Sequence, residues 1–208
     1  DMTFIMLSPF FKDNKQLTLE RFPLAQVNRS LQAWDAADEY IINYISDDNT
    51  KANVLNNNRL RLVIFNDAFG ALTTHFCHVQ TSTSTLEEKP TVYCINDSYI
   101  SSQGIAYNIE RNQLSNDNIT QLNCLDNFPN NIDLILYKIP KSKSLLVAQL
   151  IQIKKNAGKN TIFIAADRAK EIHSSTLKLF EKYLGTTTTS LAVKKARLVF
   201  CQLDQKQH

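Results

Sequence analysis

Basic side chains collect at a few places in this 208-residue chain. Some lie at or just after the ends of two successive apolar runs of strand length, and others lie in the hairpin that the last two such runs predict: Lys138, Lys141, Lys143, Arg168, Lys170, Lys194, Lys195 and Arg197. Cationic groups on one rim of a parallel sheet can hold phosphates without reading a base sequence. They can equally do no more than solvate the ends of loops, and the sequence leaves both interpretations open.

The overall composition permits a nucleic-acid partner but does not require one. The net charge is +3 and 43% of the residues are apolar, which suits a globular domain with a full core. The isoelectric point near 8.6 is only mildly basic, as it is in many enzymes that never bind RNA. The charge alone therefore decides nothing about the partner.

The cysteines and histidines do not indicate a metal site. The four cysteines form no C-x-x-C pair, so reduced thiols in the core are expected at Cys77, Cys94, Cys124 and Cys201. His75, Cys77 and His78 are close in sequence, but on a helix they would point in different directions. We therefore expect no bound metal.

The elements that must position the basic residues are alternating strands and helices. From residue 60 onward, continuous apolar runs typical of buried strands alternate with stretches of helical spacing. The strand-like runs are 60–65, 91–95, 121–125, 132–139 and 161–165. Two final runs, 186–193 and 196–203, are separated by Lys194-Lys195 and predict a hairpin. This order predicts a mostly parallel sheet with an antiparallel edge.

The first 58 residues are less regular. The alternation at 17–22 predicts an edge strand, and apolar residues spaced from Leu31 to Ile45 predict a helix that Asn28 or Ser30 would cap. The apolar stretch 2–11 is too short to span a bilayer and has no basic leader. We therefore expect no membrane association and a cytoplasmic location.

Seven ordered segments identify a family resemblance. They are LQAWDAADEY (31–40), NDAFGAL (66–72), DSYIS (97–101), HSSTL (173–177), LFEK (179–182), TTTT (186–189) and KKARL (194–198). Together, over 17–203, they resemble the N-terminal half of the large-subunit rRNA (guanine-N2)-methyltransferases of the RlmG type. The fold that this resemblance implies is α/β and Rossmann-like, that of class I methyltransferases, with a mostly parallel seven-stranded sheet and a C-terminal antiparallel hairpin.

The resemblance also implies a division of labour. Enzymes of this family have two related domains; the C-terminal copy binds S-adenosylmethionine and performs the chemistry, and the degenerate N-terminal copy is thought to support folding and engage RNA. Residues 1–208 would then be one degenerate domain, with an extension (1–58) and a Rossmann-like core (59–208). Its expected partners are rRNA and the C-terminal catalytic domain of the same polypeptide.

The cofactor loop of such a fold needs glycines, which let the backbone approach the ligand without an intervening Cβ. Counting back from Gly70, the other glycine places hold Ala68 and Asn66. Asp97 and Asp126 follow later strands, at the ribose and adenine places, but acids there are common in any parallel sheet. We expect no cofactor on this domain and treat these five positions as degenerate.

The end of the fourth strand of the core also departs from the pattern of an active methyltransferase. Methyltransferases acting on exocyclic base amines place Asn-Pro-Pro-Phe/Tyr here, where oxygens accept the amine protons and a ring stacks on the base. Here the segment is Lys138-Ile139-Pro140-Lys141. Lysine is only a donor, and its cation would repel the sulfonium of the cofactor. We therefore expect no catalytic residue in this chain.

The sequence favours a non-catalytic domain that recognises substrate and acts as a scaffold within an S-adenosylmethionine-dependent 23S rRNA (guanine-N2)-methyltransferase. One alternative is a competent methyltransferase with an atypical pocket around Asp97 and Asp126. Another is a purely structural module that holds the catalytic half in shape. The parent would be an enzyme, and this domain alone is expected to be inactive.

Overall fold

The structure is a computed structural model that describes residues 6–12, 15–19, 34–47, 60–83, 91–96, 99–115, 117, 119–122 and 128–203. Its strands are β1 (Met6–Lys12), β2 (Lys15–Leu19), β3 (Arg61–Phe65), β4 (Thr91–Ile95), β5 (Ile119–Leu122), β6 (Leu134–Lys138), β7 (Ile162–Arg168), β8 (Thr187–Thr189) and β9 (Ala196–Cys201). Its helices are α1 (Ala36–Ser46), α2 (Ala71–Thr83), α3 (Tyr99–Arg111), α4 (Lys143–Asn156) and α5 (Ser174–Tyr183), with a 3-10 turn at Ala169–Glu171.

Seven of these strands form one sheet in the order β5-β4-β3-β6-β7-β9-β8. The first five strands in that order are parallel, whereas β9 runs antiparallel to both β7 and β8. The order reverses between β3 and β6, and ligands of open α/β sheets bind at such a reversal, outside the carboxyl ends of the strands. β1 and β2 form a separate antiparallel pair.

Successive side chains along each strand point to opposite faces of the sheet, and they form one hydrophobic core on each face. Leu62 and Ile64 belong to the core on one face, together with residues of α1 and α2, and Val63 and Phe65 belong to the core on the other. That second core includes Leu150 of α4 and other residues of α4 and α5. A strand buried on both faces must be apolar throughout, which explains the continuous apolar runs in the sequence.

Helix α1 begins with a capping box, in which the Asp35 carboxylate accepts from Asp38 N and the Asp38 carboxylate accepts from Asp35 N. Ile41 and Ile45 on its buried face belong to the core shared with the sheet. The extension expected at 1–58 thus supplies part of the core. The helix expected from Leu31 begins at Ala36 and Asp35 caps it, so the expectation that Asn28 or Ser30 would cap it was wrong; both of these residues lie outside the described part of the chain.

The predicted α/β class and the terminal hairpin are confirmed, and most element boundaries shift by a few residues. The strand expected at 17–22 is β2, which pairs with β1, a strand that we did not predict. The helix expected from Ala68 begins at Ala71, because 66–70 form a loop. The hairpin turn at Lys194-Lys195 is present, closed by a bridge between Val193 and Ala196.

Candidate functional site

The residues at the strand reversal contact one another. Asn66 follows β3 directly and has a left-handed backbone, with φ of 62°. Its Nδ2 donates to the carbonyl oxygen of Lys138, the last residue of β6, at 2.9 Å. The two strands that flank the reversal are therefore joined by a side chain at the place where an open crevice is usual.

A pair of side-chain amides, one of them buried, extends this contact to α4. Asn66 Nδ2 donates to Gln149 Oε1 at 2.9 Å, and Gln149 Nε2 donates back to Asn66 Oδ1 at 3.0 Å. The Tyr137 hydroxyl donates to the same Gln149 Oε1 at 2.7 Å. Gln149 is fully buried, so these bonds satisfy polar groups that would be costly without partners.

The rest of the loop after β3 is also held from within. The buried Asp67 carboxylate accepts from Thr73 N at 2.9 Å and from Thr73 Oγ1 at 2.7 Å, near the start of α2. Burial raises the pKa of Asp67, and the hydrogen bonds from Thr73 act against that rise. Asn108 Nδ2 of α3 donates to Phe69 O at 2.7 Å. The loop carboxylate thus caps a helix and does not face a ligand crevice.

Gly70 has φ of +88°, and a Cβ built on it would lie 3.0 Å from the Cα of Ile105 in α3. This one surviving glycine is therefore explained by helix packing, because the atom that it would meet is backbone and cannot rotate away. Ala68 is exposed on the same loop. The remaining degenerate positions, Asp97 and Asp126, lie outside the described residues.

Lys138 makes an ion-pair cluster with the start of α1. Its Nζ lies 3.0 Å from Asp35 Oδ1 and 2.8 Å from Asp38 Oδ1, and only 14% of its side chain is exposed. Alternation along β6 explains this position, because Leu134 and Leu136 belong to the core on the α1 face and Lys138 follows them on that face. The ammonium group is thus used within the domain.

Burial and electrostatic attraction shift the pKa values in this cluster in opposite directions. Burial raises the pKa of Asp38 to about 7 against the attraction of Lys138. Burial also tends to raise the pKa of Asp35, but Lys138 and the amide of Asp38 lower it overall. The pKa of Lys138 is raised, because the attraction of both carboxylates exceeds the effect of its burial. The ammonium form of Lys138 is therefore firmly fixed.

Four of the basic residues singled out from the sequence line one groove of about 600 Å³: Arg168, Lys170, Lys194 and Lys195. The groove lies between the end of β7, the β8–β9 turn and the start of α1, with Asp35 on its wall. We call it the basic groove. The sequence placed Arg168 and Lys170 on the rim at the strand ends and Lys194 and Lys195 in the hairpin, and the structure brings the four residues together.

The other basic candidates lie elsewhere. Lys141 and Lys143 are exposed, and Lys143 Nζ donates to Ser175 Oγ at 2.9 Å. Arg197 is half-buried on β9, paired in register with Asp167 of β7. Sequence reasoning missed Asp35 and Asp38 as partners of Lys138; their Asp-x-x-Asp spacing ahead of an apolar helix was the available signal for the cap.

No metal cluster is found among the residues that the structure describes. Within the same part of the chain, no helix has both the length and the apolar character needed to cross a bilayer. Cys77, Cys94 and Cys201 are buried in the core, as the sequence predicted, and Cys124 lies outside the described residues.

Comparison with known proteins gives consistent matches. The family model for the RLMG N-terminal domain matches residues 8–205. The "Ribosomal RNA large subunit methyltransferase G" of Colwellia psychrerythraea is 66% identical over 202 residues, which cover 97% of this chain and 49% of that protein. The protein of the same name from Pseudoalteromonas translucida is 44% identical, over 89% of this chain and 44% of that protein. The chain thus spans about half the length of the curated relatives that it matches.

Solved structures show the same fold. The T. thermophilus 16S rRNA N2 methyltransferase RsmC, in complex with AdoMet and guanosine, matches with a TM-score of 0.68 at 13% identity, over 96% of this chain and 50% of that one. A SAM-dependent methyltransferase from Aquifex aeolicus matches with a TM-score of 0.57 at 14% identity, over 80% and 89%. At such identities, the likeness speaks for the fold alone.

Proposed function

Because the chain belongs to the RLMG N-terminal domain family, we propose that it is a substrate-recognition and scaffold unit of a 23S rRNA (guanine-N2)-methyltransferase and performs no methyl transfer itself. The curated relatives are named as ribosomal RNA methyltransferases, and about half of each is matched by this chain. The other half would bind S-adenosylmethionine, and the partners of this chain would be that half and rRNA, in the cytoplasm.

The observation on which this proposal chiefly rests is the hydrogen bonding at the strand reversal. S-adenosylmethionine needs backbone that is open to it there, but the Asn66 side chain lies across the gap to Lys138 O and Gln149. Gly70 faces the backbone of α3. The residues present at this loop do not fit the cofactor, and no step of catalysis is assigned to it.

The end of β6 supports the same conclusion. A base amine has to be held by acceptors, yet the Lys138 carbonyl already accepts from Asn66 Nδ2. The Lys138 side chain has three donors and no acceptor, and it is engaged by Asp35 and Asp38. The carbonyl is thus engaged within the fold, and the side chain has no acceptor with which to orient the nitrogen of a guanine.

The basic groove supports an RNA-binding role. Among the residues that line it, its four cations are accompanied by one carboxylate, that of Asp35, which is itself paired with Lys138, and Lys194 also lies 3.5 Å from Glu39 on α1. A surface with more cations than carboxylates favours phosphate backbones, and the contact needs no base readout. The proposal therefore assigns RNA binding to Arg168, Lys170, Lys194 and Lys195, with Lys141, Lys143 and Arg197 as more distant contributors; it leaves Lys138 out.

Two titrations test the proposal. We expect calorimetry with S-adenosylmethionine to give no saturable heat up to about 1 mM, far above the micromolar range of a working site. Fluorescence anisotropy with a labelled 23S rRNA fragment should show binding that weakens steeply between 50 and 200 mM salt. Micromolar binding of the methyl donor would favour an active domain instead. Absence of any RNA binding would leave only a structural role and would refute the recognition part.

A further inference from the structure

The turn between β8 and β9 has an unusual backbone for its residues. Lys194 and Lys195 are its two central residues, with φ of 49° and 69°. Two-residue hairpin turns of this kind are normally built from Asn-Gly or Asp-Gly, because a side chain with a Cβ is strained at positive φ. Two consecutive lysines therefore occupy places where they destabilise the turn.

Contacts with the rest of the domain hold the turn in this conformation. Val193 and Ala196 exchange hydrogen bonds of 2.8 and 2.9 Å across it. Ala169 N donates to Lys195 O at 2.8 Å, which joins the turn to the end of β7. The Tyr40 hydroxyl donates to Leu191 O at 2.9 Å, which joins the hairpin to α1. The surrounding structure thus maintains a backbone that these two residues do not favour.

The groove that this turn borders has a net positive wall. The Nζ of Lys194 lies 3.5 Å from Glu39 Oε2, and 76% of the Lys194 side chain remains exposed. This contact therefore neutralises the lysine charge only weakly. The Asp35 carboxylate on the wall is paired with Lys138. Arg168, Lys170 and Lys195 are exposed in the same groove.

We propose that the Lys194-Lys195 turn is retained, at a cost in stability, because it places two ammonium groups beside Arg168 and Lys170 as a clamp for adjacent phosphates of a single RNA strand. The identity of the polyanion rests on the proposed function; the arrangement of the cations does not. Lysine acts here as a point charge, so the clamp sets position and register without base specificity.

Two variants separate charge from strain. Lys194→Gln/Lys195→Gln removes both charges and keeps side chains at positive φ, whereas Lys194→Asn/Lys195→Gly removes both charges and supplies the residues that the turn prefers. The matched control is Lys155→Gln/Lys159→Gln, which removes two exposed lysines between β6 and β7, near the amino end of β7 and therefore away from the basic groove at its carboxyl end.

Affinity is measured by anisotropy with a labelled single-stranded RNA of about 30 nucleotides, between 50 and 300 mM salt. Each phosphate contact contributes roughly 0.7 to the slope of log affinity against log salt. Both turn variants should lower the magnitude of that slope by about 1.4 and weaken binding roughly 25-fold at 0.1 M salt. The control should retain the wild-type slope.

Thermal unfolding gives the second readout. Lys194→Asn/Lys195→Gly should unfold about 2 to 4 °C above the wild type, because strain at two residues is relieved, whereas the glutamine variant should not gain stability. Loss of RNA affinity together with a gain in stability is an outcome that a purely structural turn would not produce.

Several results would overturn the proposal. A wild-type salt slope in both turn variants would refute the clamp while leaving RNA binding by the domain intact. An equal loss in the control would show a general charge effect. Equally tight binding of poly-glutamate of the same length and charge, lost in the same variants, would show that the groove takes an acidic protein segment instead. If the wild type binds no RNA at all, the proposed recognition function fails as well.

Discussion

Lys138 shows how one residue type can have opposite roles depending on what folds beside it. From the sequence, its ammonium group was a candidate for phosphate contact, together with Lys141 and Lys143. In the structure, its Nζ contacts the carboxylates that cap α1. Moving a buried lysine away from two carboxylates to meet a phosphate would leave Asp38 buried and unpaired, which costs several kcal/mol. We therefore predict that its role is internal.

Lys138→Met should destabilise the domain by about 3 kcal/mol, because the Asp38 carboxylate, 5% exposed, loses its counter-ion. Lys138→Met/Asp38→Asn should recover most of that loss, since no buried charge is left unpaired. Urea unfolding of the wild type, both single variants and the double variant gives the coupling energy.

The same four proteins distinguish the internal role from RNA contact. We expect the salt slope of RNA binding to be unchanged in the double variant, which remains folded. A double variant as unstable as Lys138→Met would contradict the ion-pair explanation. A salt slope reduced by about 0.7 would return Lys138 to the set of phosphate contacts.

At the scale of elements, the loop between β3 and α2 is shaped by its neighbours. Gly70 is the place where α3 comes closest, and Asn108 of α3 bonds the carbonyl of Phe69. Asp67 caps the following helix. In a cofactor-binding relative, the glycine of such a loop serves a ligand; here the structure assigns it to helix packing.

Gly70→Ala should destabilise the domain by roughly 2 kcal/mol or more, because the added Cβ meets the Ile105 backbone at 3.0 Å and the residue must keep φ of +88°. The matched control is Gly158→Ala. A Cβ there would have its nearest neighbour 3.9 Å away and no positive φ, so we expect a change within about 0.5 kcal/mol. Equal effects in the two variants, measured by urea unfolding, would contradict this interpretation.

The features that the sequence could predict are those determined by neighbouring residues in the chain. The buried strands follow from apolar runs, and the hairpin turn follows from a polar pair between two such runs; both are present as β3, β6 and the Lys194-Lys195 turn. The contact of Lys138 with Asp35 and Asp38 joins positions about 100 residues apart, and no pattern within one segment indicates it. The amide pair of Asn66 and Gln149 was missed for the same reason.

At the scale of the whole molecule, two cores hold the sheet between helical layers, and the buried carboxyl groups collect near the carboxyl ends of β3, β6 and β7. Burial raises the pKa values of Asp38, Asp67 and Asp167, the last of them only half-buried. Asp35 has a lowered pKa because of Lys138. The pH dependence of folding is the sum of these opposing contributions.

A carboxyl group whose pKa is raised on folding stabilises the native state fully below its unfolded pKa, and this stabilisation is lost as the pH rises through the folded pKa. For Asp38 the unfolded value is 3.8 and the folded value is about 7, so its contribution declines between about pH 4 and pH 7. Asp67 and Asp167 act in the same direction. Asp35, with a lowered pKa, acts in the opposite direction, and its stabilisation is lost only as the pH falls below about 4.

We therefore expect the free energy of unfolding of the wild type to exceed that of Asp38→Asn by a margin that shrinks from pH 4.5 to pH 7, by at most about 1.4 kcal/mol per pH unit. Urea unfolding at half-unit intervals of pH measures the margin. Gln103→Ala, at an exposed position of α3 that carries no titratable group, is the control and should give a constant difference from the wild type. A margin for Asp38→Asn that is constant or grows with pH would mean that Lys138 keeps Asp38 ionised throughout, and that the cluster carries a full negative charge into the fold.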